Sequence, residues 1–276
     1  TRWRGEMIGR LLLHLGMYKT GSTSIQASLR DYDDGRVRYA RLGPRNHSDA
    51  IVPAFSGSAH TYGPHRRKGR TRGEIDALAA EARHHLLHEL SLDRETLIIS
   101  GEAIPSMPPA ALQAFAAFIR PYAREVTVLA YIREPVSYIS SMFQQGIKAG
   151  YREFSLPRPV YRHLLSDIIE IFGREACSFV LYNRENFYGG SVVADVSHRS
   201  GIDPSAIKEI WQNTSMPLNA ARLLHRFNRD GTTSFGHPRL LQGRTRLLRT
   251  LSRLYTARFT VPREIALAHV DTQDLA

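Results

Sequence analysis

The most constraining feature of this chain is the run Leu11-Leu12-Leu13-His14-Leu15-Gly16-Met17-Tyr18-Lys19-Thr20-Gly21-Ser22-Thr23-Ser24-Ile25-Gln26-Ala27-Ser28-Leu29. Its apolar start predicts a buried strand, and Ile25 and Leu29, four residues apart, predict a helix. Between them lies a short turn bounded by Gly16 and Gly21 and carrying Lys19. A helix amino terminus in that position aims unpaired N–H groups and the positive end of its dipole at the loop. Glycines admit a close ligand, Ser22, Thr23 and Ser24 add hydroxyl donors, and Lys19 adds a full charge. A phosphate or sulfate suits such a cradle.

The nucleoside-triphosphate loop G-x-x-x-x-G-K-[ST] requires lysine directly after its second glycine. Here Ser22 holds that position and Lys19 comes two residues before Gly21, so the cradle is not an ordinary P-loop. The charge of the chain fits an acidic partner: its formal net charge is +11 over 276 residues. Charge alone does not choose among a nucleotide, an anionic acceptor, nucleic acid and a membrane surface. The single cysteine, Cys177, excludes an internal disulfide and a thiolate zinc site. His84, His85 and His88 form the one close histidine group and read as a solvated helix face, so no metal is expected. No apolar run reaches the roughly 18–20 residues that span a bilayer, and a cytoplasmic location is expected.

At this length one substantial core is expected, with residues 1–276 as a single domain. Residues 31–73 show no sustained periodicity and are expected as an irregular basic insertion, including His65-Arg66-Arg67-Lys68-Gly69-Arg70-Thr71-Arg72. Helical patterning begins at Glu74. The apolar strands Thr96 to Ser100, Val126 to Ile132 and Ser178 to Tyr182 alternate with amphipathic helices, which predicts an α/β fold with a parallel sheet covered on both faces. The part from about 190 to 276 reads as helical, with segments Val192 to Arg199, Asn219 to Asn228 and Leu240 to Leu254, and a short piece after Pro262. The last long segment, with Arg244, Arg246, Arg249 and Arg253 around its leucines, reads as a packed surface helix.

A second anchor lies at Tyr131-Ile132-Arg133-Glu134-Pro135-Val136-Ser137-Tyr138-Ile139-Ser140-Ser141. Arg133 stands at the carboxyl end of a predicted parallel strand, the edge where open α/β sheets bind ligands. Ser141 falls eight residues later, in the second turn of a helix opened by Pro135. His14-Leu15-Gly16-x-x-Lys19-Thr20-Gly21-Ser22-Thr23-Ser24-Ile25-Gln26, taken with Arg133-Glu134-Pro135 and Ser141, resembles the sulfotransferases that use 3′-phosphoadenosine-5′-phosphosulfate (PAPS). The bacterial and Golgi carbohydrate type is the more similar branch, and the resemblance spans roughly residues 10 to 230, more loosely through Asn183 to Asn186, Gly201-Ile202-Asp203 and Asn213-x-Ser215.

That resemblance implies a three-layer α/β sandwich, the P-loop NTPase-like sulfotransferase fold. It implies PAPS as donor, adenosine 3′,5′-bisphosphate as product, no metal, and an acceptor offering a hydroxyl or an amine, with a carbohydrate, anionic glycans included, as the expected class. Lys19, Thr20, Gly21, Ser22, Thr23 and Ser24 are then expected to hold the 5′-phosphosulfate, and Arg133 with Ser141 the 3′-phosphate. Lys19 is also expected to stabilise charge on the leaving oxygen. Glu102, directly after the strand ending Ser100-Gly101, is expected as the catalytic base, with His14 as the competing candidate. A carboxylate that caps the next helix or pairs with an arginine is the plainer reading of Glu102. The late basic loop of the family has no clear match, and Ser234 to Arg244, with Arg239 and Arg244, is the suggested counterpart. Two rival readings are a small-molecule P-loop kinase and a non-catalytic basic module for nucleic acid or acidic glycan. Nucleic acid is not the expected partner, and the oligomeric state has no sequence signal.

Overall fold

The computed structural model describes residues 7–57, 62–63, 65, 68–211, 216–230, 246–247, 250–251, 253–255, 257 and 259–270. Its strands are β1 (Ile8–Leu15), β2 (Val37–Tyr39), β3 (Thr96–Gly101), β4 (Ala123–Ile132) and β5 (Cys177–Leu181). Its helices are α1 (Ser22–Leu29), α2 (Ser48–Phe55), α3 (Arg72–Leu90), α4 (Pro109–Ile119), α5 (Pro135–Ala149), α6 (Tyr161–Phe172), α7 (Val192–Ser200), α8 (Leu218–Asp230) and α9 (Arg263–Leu267). They divide into two compact units, Thr1–Ile132 with Arg162–Gln212, and Arg133–Tyr161 with Asn213–Ala276.

The first unit is built on a five-stranded sheet in the order β2-β3-β1-β4-β5, parallel throughout. β1 is its centre, and its Ile8, Leu11, Leu12, Leu13 and Leu15 are buried, as befits a strand covered by helices on both faces. On one face Leu12, Ile98, Leu129 and Tyr131 form a buried cluster with Ile25 and Leu29 of α1 and Val193 and Val196 of α7. The alternate residues Leu11, Leu13, Leu97 and Ile99 are fully buried as well. On that second side Phe55 of α2 meets Phe115 and Phe118 of α4 edge-on, at ring separations of 5.3 and 5.2 Å. The result is the expected three-layer α/β arrangement. Leu15 is in register with both Gly101 of β3 and Ala130 of β4, so β1 and β3 end at one level while β4 runs on to Ile132.

Residues 31–73 are less irregular than their sequence suggests, since they contain β2 and α2. β2 is only three residues long, and α2 carries Pro53 inside it, which hides both from periodicity. α3 starts at Arg72 rather than Glu74. It is opened by a capping box in which the Glu74 amide donates to Thr71 Oγ1 at 3.3 Å and the Thr71 amide donates to Glu74 Oε2 at 2.7 Å. Arg38 on β2 donates through Nε and a terminal nitrogen to the two oxygens of Glu89 on α3, both at 2.7 Å, tying the edge strand to its covering helix.

In the second unit Phe143 and Ile147 of α5 bury against Ala220, Ala221 and Leu224 of α8, together with Met216 and Leu251. Pro135 is the first residue of α5, as its position predicts, and the Glu134 side chain caps the helix by accepting from the Ser137 amide at 2.9 Å. Of the helix expected over 240–254, the described residues Arg246, Leu247, Thr250, Leu251, Arg253 and Leu254 are helical. Asn213, Ser215 and the suggested late loop with Arg239 and Arg244 lie outside the described residues. Among the described residues no helix is long and apolar enough to cross a membrane.

Candidate active site at the carboxyl ends of β1 and β3

The chain leaves β1 through a tightly held turn. The Gly16 amide donates to the Gly101 carbonyl at 3.0 Å, and Thr20 Oγ1 donates to the Met17 carbonyl at 2.7 Å. Thr20 is fully buried, so its hydroxyl pins the loop. Lys19 has φ +64°, the one non-glycine residue with positive φ among the described residues. For an L-residue this conformation costs about 1–2 kcal/mol. Gly21 follows at φ +77° and stands at the N-cap of α1 with no side-chain cap. A β-carbon on Gly21 would come within 2.8 Å of Val192 Cγ1 and 3.3 Å of the Tyr182 hydroxyl, so both its conformation and its surroundings demand glycine.

The helix end built this way suits an anion. No acidic residue occupies the first turn of α1. Ser22 Oγ is buried and has no hydrogen-bond partner among the described residues. An orphaned buried hydroxyl costs about 1–3 kcal/mol, which a ligand oxygen would recover. Gly21 adds no side chain that would compete for the amides, and Lys19 adds charge. These residues fit the phosphosulfate of the implied donor.

Glu102 follows β3 and turns back over this loop. Its Cγ lies 2.6 Å, and Ser22 Oγ 2.8 Å, from where a β-carbon on Gly16 would stand. Burial pushes the Glu102 carboxyl above the usual glutamate range; the Lys19 charge, a hydrogen bond from the Thr23 hydroxyl and the Arg45 charge oppose that rise, while Asp49 adds to it. The raised proton affinity suits a base, and the nearby cations keep the anion accessible. The predicted residues Gly16, Lys19, Ser22, Thr23 and Glu102 therefore meet at one place.

Arg45, Asn46, Ser48 and Asp49 join them, and the sequence did not single them out. Asn46 Oδ1 accepts from the Ser48 amide at 3.1 Å and the Glu102 amide at 3.3 Å. Ser48 Oγ accepts from the Ala103 amide at 2.7 Å, and His47 Nδ1 from the Ser100 amide at 3.0 Å. The start of α2 thus fixes the backbone on which Glu102 rides. The only sequence signal was a polar group, Asn46 to Asp49, directly before apolar Ala50-Ile51-Val52.

His14 belongs to the core. It is fully buried, its Nδ1 shares a 2.8 Å hydrogen bond with Ser100 Oγ, and Gln26 Nε2 donates to the same oxygen at 3.2 Å. Burial lowers its pKa to about 4, which holds it neutral. Ser24 is buried in the first turn of α1, where its amide donates to the Gly21 carbonyl at 2.9 Å.

Arg133 and Ser141 lie in the second unit. Arg133 Nε donates to Ser137 Oγ at 2.5 Å. Ser137 and Ser141 are one helical turn apart on α5 and share a face, so the arginine is drawn to the face that carries Ser141. Ser137 was not among the expected site residues, and its four-residue spacing from Arg133 is the sequence signal for this contact.

No protein-family model matches the chain, and no curated protein matches it in sequence. Solved structures do resemble it. A sulfotransferase from Alicyclobacillus acidocaldarius aligns at 14% identity and TM-score 0.43, covering 88% of this chain and 95% of that one. The sulfotransferase domain of the Synechococcus PCC 7002 olefin synthase aligns at 11% identity and TM-score 0.41, covering 97% of each. A structure from the PezAT chromosomal toxin-antitoxin system of Streptococcus pneumoniae aligns at 14% identity and TM-score 0.36, covering 90% of this chain and 89% of that one. At these TM-scores the overlays carry no argument about activity.

Proposed function

We propose that this chain is a PAPS-dependent sulfotransferase that moves a sulfuryl group to a hydroxyl, or an amine, of a carbohydrate acceptor by in-line displacement. The observation that carries this reading is the meeting of Lys19, the uncapped start of α1 with its orphaned Ser22 hydroxyl, and the Glu102 carboxylate. A helix end with a cation holds the anion, and a carboxylate of raised proton affinity beside it takes a proton.

PAPS supplies a sulfuryl group already activated as a mixed anhydride, so the protein has to position and neutralise charge. Loop amides with Ser22 and Thr23 bind the 5′-phosphosulfate oxygens. Lys19 meets the charge that grows on the bridging oxygen as the S–O bond to phosphate breaks, which favours the transition state over the ground state. Glu102 accepts the acceptor proton as the new O–S bond forms. Arg133 and Ser141 stand in this proposal, as the 3′-phosphate contacts, on their sequence spacing. The experiment is transfer of radiolabelled sulfate from PAPS to a panel of glycan hydroxyls. Transfer by the wild type that falls at least about a hundredfold in Lys19→Ala and Glu102→Gln supports the proposal. Turnover of magnesium-ATP without PAPS turnover contradicts it.

A further inference from the structure

A cavity of about 450 Å3 opens beside Glu102, lined also by Tyr18, Asn46, Asp49, Tyr62, Lys68 and Ala103. Hydrogen bonds hold part of its lining. The Tyr62 hydroxyl donates to Asp49 Oδ1 at 3.0 Å, which joins Tyr62 to the first turn of α2. Tyr62 also meets buried His65 edge-on at 5.5 Å, and His65 accepts the Lys68 amide through its carbonyl at 3.1 Å.

The chemistry of this lining differs from that of the anion cradle. Two carboxylates, Glu102 and Asp49, share one cavity and lie near enough for Asp49 to act on the Glu102 proton. Asn46 has committed its carbonyl oxygen to two backbone amides, so its NH2 is the donor it has to offer. Tyr18, 43% exposed, and Tyr62 supply aromatic faces, and Lys68 stands exposed. A small-molecule site typically combines apolar faces with a few placed polar groups, and this cavity has both.

We propose that Asp49 is a second acceptor-binding carboxylate, so that the cavity selects acceptors presenting two adjacent hydrogen-bond donors, a vicinal diol or amino alcohol on a sugar-like ring. This rests on the reading of Glu102 as the base. The reacting hydroxyl donates to Glu102, and its neighbour donates to Asp49, whose orientation the Tyr62 hydroxyl sets. A carboxylate accepts at several lone-pair positions, so one bond from Tyr62 leaves Asp49 capacity for a second. A simple phenol or monoalcohol leaves that second accepting position of Asp49 without a ligand donor, and that loss penalises it. The plainer role for Asp49 is to stabilise the amino end of α2 and hold Tyr62, which predicts a change in stability and none in selectivity.

The test is saturation-transfer NMR of methyl β-D-glucopyranoside, methyl β-D-glucosaminide and 2-naphthol on the wild type, Asp49→Asn and Tyr62→Phe. All samples contain saturating adenosine 3′,5′-bisphosphate, and its affinity is measured on each of them. The expected result is that both glycosides bind the wild type in preference to naphthol. Asp49→Asn should weaken them about tenfold or more, and Tyr62→Phe less, with bisphosphate affinity changed under about twofold. Unchanged glycoside binding in Asp49→Asn, or preference for naphthol, overturns the role of Asp49 while bisphosphate binding leaves the donor assignment standing. Failure of the wild type to bind the bisphosphate overturns the sulfotransferase reading and this inference with it.

Discussion

Glu102 packs against Gly16 so closely that its Cγ would stand 2.6 Å from a β-carbon placed there. Two strands in register, Leu15 beside Gly101, deliver these residues to the same level, and the missing side chain lets the carboxylate reach the loop that carries Lys19.

Gly16→Ala is therefore expected to displace Glu102 or Ser22. Stability should fall by about 1–3 kcal/mol, as for other overpacked sites. Sulfuryl transfer should fall well beyond what the lost folded fraction explains. Urea unfolding and initial rates on the same preparation separate the two effects, and a variant with wild-type kcat would show that this contact is not used.

Two substitutions at Lys19 separate its backbone strain from its charge. Its left-handed backbone at φ +64° is strained for any residue with a β-carbon. Lys19→Gly should be more stable than Lys19→Ala by about 0.5–1 kcal/mol, the relief of strain less the entropy that glycine gains when unfolded. Both should lose donor affinity equally, because both lack the charge. Equal stability of the two variants would argue against a strained loop.

The pH profile of transfer should carry the signature of Glu102. Burial raises its pKa above that of a free glutamate, and Lys19, Thr23 and Arg45 limit the rise. A base works in its deprotonated form, so kcat/KM should fall on acidification along a limb centred above the ordinary glutamate value. Asp49 contributes to the upward shift, so Asp49→Asn should move that limb to lower pH. An acid limb at or below the free value would remove Glu102 from the role.

Buried histidines make the fold acid-sensitive. Burial lowers His14 to about 4, and lowers His47 to about 3 against a hydrogen bond with the Ala40 carbonyl. Below pH about 6.5 the unfolded chain takes up protons that the native state refuses, until the native pKa is reached. Each histidine therefore contributes a loss approaching 1.4 kcal/mol per pH unit in that window. His14→Gln should flatten the dependence by one proton between pH 6 and 4.5, read from urea midpoints, and an unchanged slope would contradict a neutral buried His14.

The sequence reading succeeded where neighbours in the chain decide structure. The glycine-bounded turn after an apolar strand, Pro135 opening α5 and Gly201 in left-handed conformation after α7 are all local signals. It stopped where residues meet across the fold. Asn46 and Glu102 are 56 positions apart and joined by one backbone-to-side-chain hydrogen bond, which leaves no periodicity behind. α2 was hidden by Pro53, and with it Arg45 and Asp49, which set the charge around the base. Ser137, where the arginine makes its hydrogen bond, is a different case: a serine four residues after an arginine is too common a spacing to mark a contact.

Calorimetric titration of adenosine 3′,5′-bisphosphate into the wild type, Lys19→Ala and Arg133→Ala, with AMP and magnesium-ATP as controls, tests the donor assignment most directly. Saturable binding of the bisphosphate in preference to both controls, weakened about tenfold or more by each substitution, is the predicted result. Binding of magnesium-ATP in its place, or bisphosphate affinity indifferent to Lys19, would contradict a PAPS site in this chain.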